Sequence, residues 1–202
     1  MSKDTGLRAI TDHVQDLWQL ANFSFHTPRS LTKFRQIKSV ARDSGAQCFI
    51  ESGTYKGHTT KRCAPEFQRI VTIEIDEKLA QNAKQFLCNN LNIEVLQGDV
   101  IDCLPNILDR DDIQNVLVYL DGHFSGGITG KGEIDEPACD AINILTKYAD
   151  KLSAFIVDDF REFGKPGFPK KSHLIDACED FFGEYTKLTV HLDQVIVLRM
   201  NA

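Results

Sequence analysis

Five short apolar runs, each stopping at a carboxylate, constrain this chain more than anything else in its sequence. They are Cys48 to Ile50 before Glu51, Arg69 to Ile73 before Glu74, Ile93 to Leu96 before Asp99, Val116 to Leu120 before Asp121, and Ala154 to Val157 before Asp158 and Asp159. Between them lie stretches of helical spacing. One runs from His58 to Ala64, another from Glu77 to Leu91 with Leu79, Ala83, Phe86, Leu87 and Leu91 on one face, and a third is opened by Pro137 and carries Ala141, Ile142 and Leu145. Strands that alternate with helices return in the same direction, so the runs predict a parallel sheet, and the unbroken apolarity of Val116 to Leu120 is that of a strand covered on both faces. The chain ends differently. After a helix over Leu174 to Phe182, Lys187–Leu192 and Gln194–Arg199 are too close for a crossover and must pair as an antiparallel hairpin.

The first run breaks into Glu51-Ser52-Gly53-Thr54-Tyr55-Lys56-Gly57. A strand, a turn with two glycines and a helix start form a cradle in which backbone can approach a ligand closely, with an acid at hand to accept its hydrogen bonds. About twenty residues on, the second run ends at Glu74 and Asp76, where doubly wound folds place an acid for ribose hydroxyls. A dinucleotide Gly-x-Gly-x-x-Gly is absent, since Thr54 and Tyr55 separate Gly53 from any nearby second glycine. The glycine-rich stretch Ser125–Gly132 is not a phosphate loop either: Gly132 stands where Ser or Thr is needed, and no strand directly precedes it. It reads instead as a lid.

Taken in order, Glu51-x-Gly-x-x-x-Gly57, Thr72-Ile-Glu-Ile-Asp76, Leu96-Gln-Gly-Asp99 and Tyr119-Leu-Asp-Gly-His123 resemble the motif set of class I S-adenosylmethionine (SAM)-dependent methyltransferases, from Cys48 to the C-terminus. The resemblance implies a doubly wound, Rossmann-like α/β fold with a mostly parallel seven-stranded sheet and an antiparallel C-terminal hairpin. It implies SAM as cofactor, with Glu51, Gly53, Thr54, Tyr55 and Gly57 around its methionine part, Glu74 at the ribose, Asp99 by the adenine amino group and Asp121 beside the bound cofactor. The cradle departs from many members in having two glycines rather than three.

Asp121 with Asp158 and Asp159 makes a second constellation. Oxygen-only donors suit Mg²⁺, Mn²⁺ or Ca²⁺, and the pattern is similar to that of metal-dependent O-methyltransferases of the macrocin and catechol types, in which the ion holds the acceptor hydroxyl. His123, with an intrinsic pKa near neutrality, is the candidate general base alongside Asp121. The other reading is that Asp121 and Asp158 only cap the loops that follow. The acceptor is expected to be a small molecule, and two further possibilities stay open: a metal-free enzyme acting on nitrogen or carboxylate, and a SAM-binding module without turnover.

The remaining expectations come from composition. A formal net charge of −6 argues against a general binder of nucleic acid or anionic membrane. Six scattered cysteines without a Cys-x-x-Cys pair, no signal-like N-terminus and no bilayer-length apolar stretch point to a reducing cytoplasm. With 202 residues the chain is expected to form a single domain, residues 1–45 being a helical extension packed on it. That extension holds one helix over Leu7 to Leu20 and another after Pro28, whose Arg29, Lys33, Arg35, Lys38 and Arg42 read as a solvated face. The oligomeric state is open, with a homodimer as one arrangement.

Overall fold

A computed structural model describes residues 30–121 and 137–200. The expected helix over Leu7 to Leu20, the base His123 and the lid Ser125–Gly132 lie outside them. In chain order the elements are α1 (Ser30–Ser44), β1 (Cys48–Ser52), α2 (His58–Cys63), β2 (Arg69–Glu74), α3 (Glu77–Leu87), β3 (Ile93–Gln97), α4 (Val100–Leu108), β4 (Val116–Leu120), α5 (Ala138–Thr146), β5 (Leu152–Val157), α6 (Lys171–Glu179), β6 (Thr186–His191) and β7 (Gln194–Arg199). The strands form one seven-stranded sheet in the order β3-β2-β1-β4-β5-β7-β6. The first five pair in parallel, and β7 joins β5 and β6 antiparallel. Strand order reverses between β1 and β4, which makes their carboxyl ends the crevice where open α/β sheets bind ligands.

The apolar runs become strands because both sides of the sheet are covered. Along β4, Val116, Val118 and Leu120 pack with α4, α5 and α6 on one side. Leu117 and Tyr119 pack with Phe49, Phe67 and the α1 residues Ile37, Val40 and Ala41 on the other. All five β4 residues are buried, and each large aliphatic side chain contributes roughly 1.5–3 kcal/mol by leaving water. α1 also packs on α2, β5 and β7. The six cysteines are free thiols.

Two local expectations need correcting. The helix that begins at Glu77 stops at Leu87, and Leu91 is 94% exposed rather than on the apolar face. Helix α4 is not anticipated in the sequence, because Pro105 lies inside it and proline usually ends a helix. The helix survives because Leu104, Ile107 and Leu108 are buried in the core, and Asp99 caps its first turn by accepting from the Ile101 amide at 2.9 Å.

Candidate functional site

Four strand ends and one helix build the crevice. At the end of β1, Gly53 (φ 84°), Tyr55 (φ 49°) and Gly57 (φ 71°) are left-handed, so the turn demands glycine at two positions and strains Tyr55 at the third. Its amides are directed inward. Gly53 and Thr54 donate to the Ile73 carbonyl, Gly57 to that of Thr54, and Tyr55 to Glu74 Oε2 at 2.7 Å. Glu74 also accepts from the Asp76 amide at 3.0 Å and is buried, so it ties the turn to the end of β2. A Cβ on Gly57 would lie 3.0 Å from Leu87 Cδ1, so this glycine is required by the packing of α3 as well as by its φ.

Glu51 lies below that turn, in the interior. Its Oε2 accepts from the hydroxyls of Thr60 on α2 and Thr72 on β2, and Thr72 Oγ1 is 2.6 Å from Thr54 Oγ1. Burial pushes its carboxyl up to about 7, against the two threonine hydrogen bonds and the charge of Lys33, which pull the other way. Glu51 and Thr54 therefore belong to a polar cluster that fixes the cradle from beneath. Thr60 and Thr72 complete it, and only their place beside a buried acid could have pointed to them.

At the ends of β4 and β5 the three expected carboxylates do converge: Asp121, Asp158 and Asp159 each offer an oxygen within 4.8 Å of the others. Asp121 is anchored through its amide, which donates to Ser52 O and Oγ at 3.3 and 3.2 Å. Asp158 has no exposed side-chain surface; it accepts from Tyr119 Oη at 2.7 Å and from Gln194 Nε2 at 3.1 Å. Between Asp121 and Asp158 sits the Lys33 ammonium, 3.0 Å from Asp121 Oδ2 and ion-paired with Asp158.

This corrects the reading of Lys33 as part of a solvated face: its side chain is 15% exposed. The signal was its spacing. Lys33 precedes Ile37 by four residues, so it continues the buried stripe of Ile37, Val40 and Ala41 past the carboxyl ends of the strands. Burial opposes its charge, but the carboxylates of Asp121, Asp158 and Asp159 outweigh it and hold the ammonium more tightly protonated than an ordinary lysine. Burial likewise raises Asp158, but Lys33, Tyr119 and Gln194 overcome it and leave that carboxyl below its ordinary value. Asp121 is pushed up by burial and its acidic neighbours.

Asp159, at φ 53°, accepts from Arg161 Nη1 at 2.7 Å, and Arg161 also pairs with Asp193. Asp193 lies in the β6–β7 turn, where Leu192 and Asp193 are both left-handed, as a two-residue hairpin loop requires. Its carbonyl and carboxylate hold the amides of Phe160 and Arg161 at 2.8 and 2.7 Å. The hairpin thus supplies Gln194 and Asp193 to the loop after β5, a role its sequence does not announce.

No family model matches the chain. Over 89 residues it is 30% identical to the ribosomal RNA small subunit methyltransferase A of Mycoplasma capricolum, and over 89 residues 28% identical to the protein of that name from Mycoplasma mycoides. Each match takes in 44% of this chain and 33% of the relative, so the chain spans about a third of the length of these curated relatives. Among solved structures, an O-methyltransferase of Bacillus cereus in complex with S-adenosylhomocysteine (SAH) superposes with a TM-score of 0.64 at 19% identity, covering 100% of this chain and 93% of that one. The O-methyltransferase TomG of Streptomyces achromogenes in complex with SAM gives a TM-score of 0.54 at 18% identity, with 84% and 80% covered. At such identities the likeness is one of fold, and the chain has the fold of class I SAM-dependent methyltransferases.

Proposed function

We propose that the chain is a SAM-dependent methyltransferase acting on an oxygen of a small-molecule acceptor. The observation that carries this reading is the crevice at the β1/β4 strand-order reversal, where a left-handed glycine turn, the buried acid Glu74 and the acid Asp121 meet in the fold of class I SAM-dependent methyltransferases. In it, Gly53, Thr54, Tyr55 and Gly57 form the wall for the methionine part of SAM, held by Glu51 from below. Glu74, whose two oxygens each take one backbone amide, keeps lone pairs for the ribose hydroxyls. Asp99 would take the adenine amino group, and Asp121 would lie toward the sulfonium end. SAM, when bound, supplies a methyl group on a positively charged sulphur. The chain's part is to hold the acceptor oxygen in line with that methyl, exclude water and receive the hydroxyl proton, for which His123 is the candidate base.

The acceptor is read as a small molecule because a net charge of −6 opposes a polyanion. The match to ribosomal RNA methyltransferases favours the other acceptor class but takes in a third of their length. No helix among the described residues is long and apolar enough to cross a membrane. We take residues 1–202 as one domain, with α1 of the N-terminal segment packed on its sheet. For a divalent ion, the oxygen donors of Asp121, Asp158 and Asp159 have the right chemistry, but as arranged they do not fit one: Lys33 and Arg161 engage all three.

The test is thermal unfolding with SAM, SAH and NAD. At a hundred times its dissociation constant a ligand adds about 2.7 kcal/mol, a rise of roughly 5–10 °C for a domain of this size. SAM and SAH should give it and NAD should not; no shift at millimolar SAM refutes the cofactor. Transfer of labelled methyl to a small-molecule panel, set against ribosomal RNA, then decides the acceptor.

A further inference from the structure

Where the described residues bring three carboxylates to metal-holding separations, a side-chain cation already stands among them. The Lys33 ammonium bridges Asp121 and Asp158, and Arg161 engages Asp159. The Asp158 side chain has no solvent exposure, and its remaining partners, the Tyr119 hydroxyl and the Gln194 amide, donate hydrogen bonds to it from within the core. A divalent ion would need several of these oxygens at roughly 2.0–2.6 Å, in the space that Nζ takes up, and would face a like charge in a poorly screened interior. The lysine is not there by accident of a long surface side chain: α1 presents it on the stripe that Ile37, Val40 and Ala41 bury against the sheet.

We propose that Lys33 is the resident cation of this crevice, holding Asp121 and Asp158 in the place of a divalent ion, so that methyl transfer by this chain is independent of metal. The functional consequence rests on the methyltransferase reading, but the ion-binding test below does not, so the two fail separately.

The full chain is titrated with Mn²⁺ and free ion is followed by electron paramagnetic resonance. Wild type should bind none at this site, and Asp158→Asn should leave its titration unchanged. Lys33→Ala, which takes the ammonium out from among three clustered carboxylates, should gain a site roughly tenfold or more tighter than any in wild type, and that site should vanish in Lys33→Ala with Asp158→Asn. Lys33→Arg keeps a cation and should stay indifferent to Mn²⁺. Should Lys33→Ala fail to fold for want of a partner for Asp158, the wild-type titration still decides: stoichiometric Mn²⁺ binding that Asp158→Asn abolishes overturns the proposal. So does a folded Lys33→Ala that gains no Mn²⁺ site. In the acceptor assay, turnover that survives chelation by EDTA supports it, and turnover that is lost with EDTA and returns with Mg²⁺ overturns it.

Discussion

Replacing Glu51 by glutamine turns the cluster beneath the cradle into a measurable pH dependence. In the fold the carboxyl is lifted from its ordinary 4.5 to about 7, chiefly by burial, with the Thr60 and Thr72 hydroxyls and Lys33 pulling it down and Glu74 adding to the rise. A displacement of that size corresponds to roughly 3 kcal/mol. The sign follows from linkage. The folded chain retains a proton that the unfolded chain releases, so this group's contribution to stability is fully present below about pH 4.5 and is lost as the pH climbs through 7. In Glu51→Gln the new amide would keep the shape and, through its carbonyl, both threonine hydrogen bonds, which now converge on one oxygen, Oε2; it cannot ionise. Whatever constant cost its amide group adds, the variant should gain about 3 kcal/mol on wild type between pH 4 and pH 8, a relative rise in melting temperature of roughly 6–12 °C. Paired thermal melts across that range measure it, and titrating groups that do not interact with Glu51 cancel in the difference. A difference that stays flat to within about 1 kcal/mol would refute the claim that Glu51 is buried with a raised pKa.

Gly57→Ala meets two obstacles, a φ of 71° and a Cβ 3.0 Å from Leu87, and should cost about 2–4 kcal/mol; adding Leu87→Ala removes the clash but not the strain, so if Gly57→Ala costs as much in the Leu87→Ala background as in wild type, the whole cost belongs to φ. Leu192→Asn should raise the melting temperature by a few degrees, because asparagine tolerates the left-handed turn at about 1 kcal/mol less than leucine; an unchanged or lower value would show that the leucine side chain contributes packing worth the strain.

The sheet was legible because burial leaves a plain mark, short runs dominated by apolar residues and, in β4, without any polar one, and because the runs stop at acids where they leave the core. Asp121, Asp158 and Asp159 were found that way. Lys33 was not, since a lysine among arginines and lysines on a helix looks solvated until the carboxyl ends of the strands are placed under it. Helix α4 was hidden by Pro105, which a packed face overrides. Glu51 was noticed as a strand-end acid, but its setting depends on Thr60 and Thr72, whose hydroxyls reach it only after α2 and β2 have packed. Gln194 begins a strand that sequence assigns to a hairpin, and nothing local says that the amide reaches back to Asp158.

That last contact has a consequence for how the molecule is made. Asp158 is held from one side by Lys33, in the first described helix, and from the other by Gln194, in the last strand. During synthesis the parallel core of β1 to β5 leaves the ribosome before β7, so for a time Asp158 and Tyr119 are in place without the amide that joins them, and the loop after β5 lacks the Asp193 clamp. The cluster around Asp158 is therefore complete only after the hairpin docks. Until then a newly made chain carries an open charge cluster at its strand ends. Chaperone dependence or aggregation of this protein in cells should accordingly track the C-terminal hairpin more closely than the core.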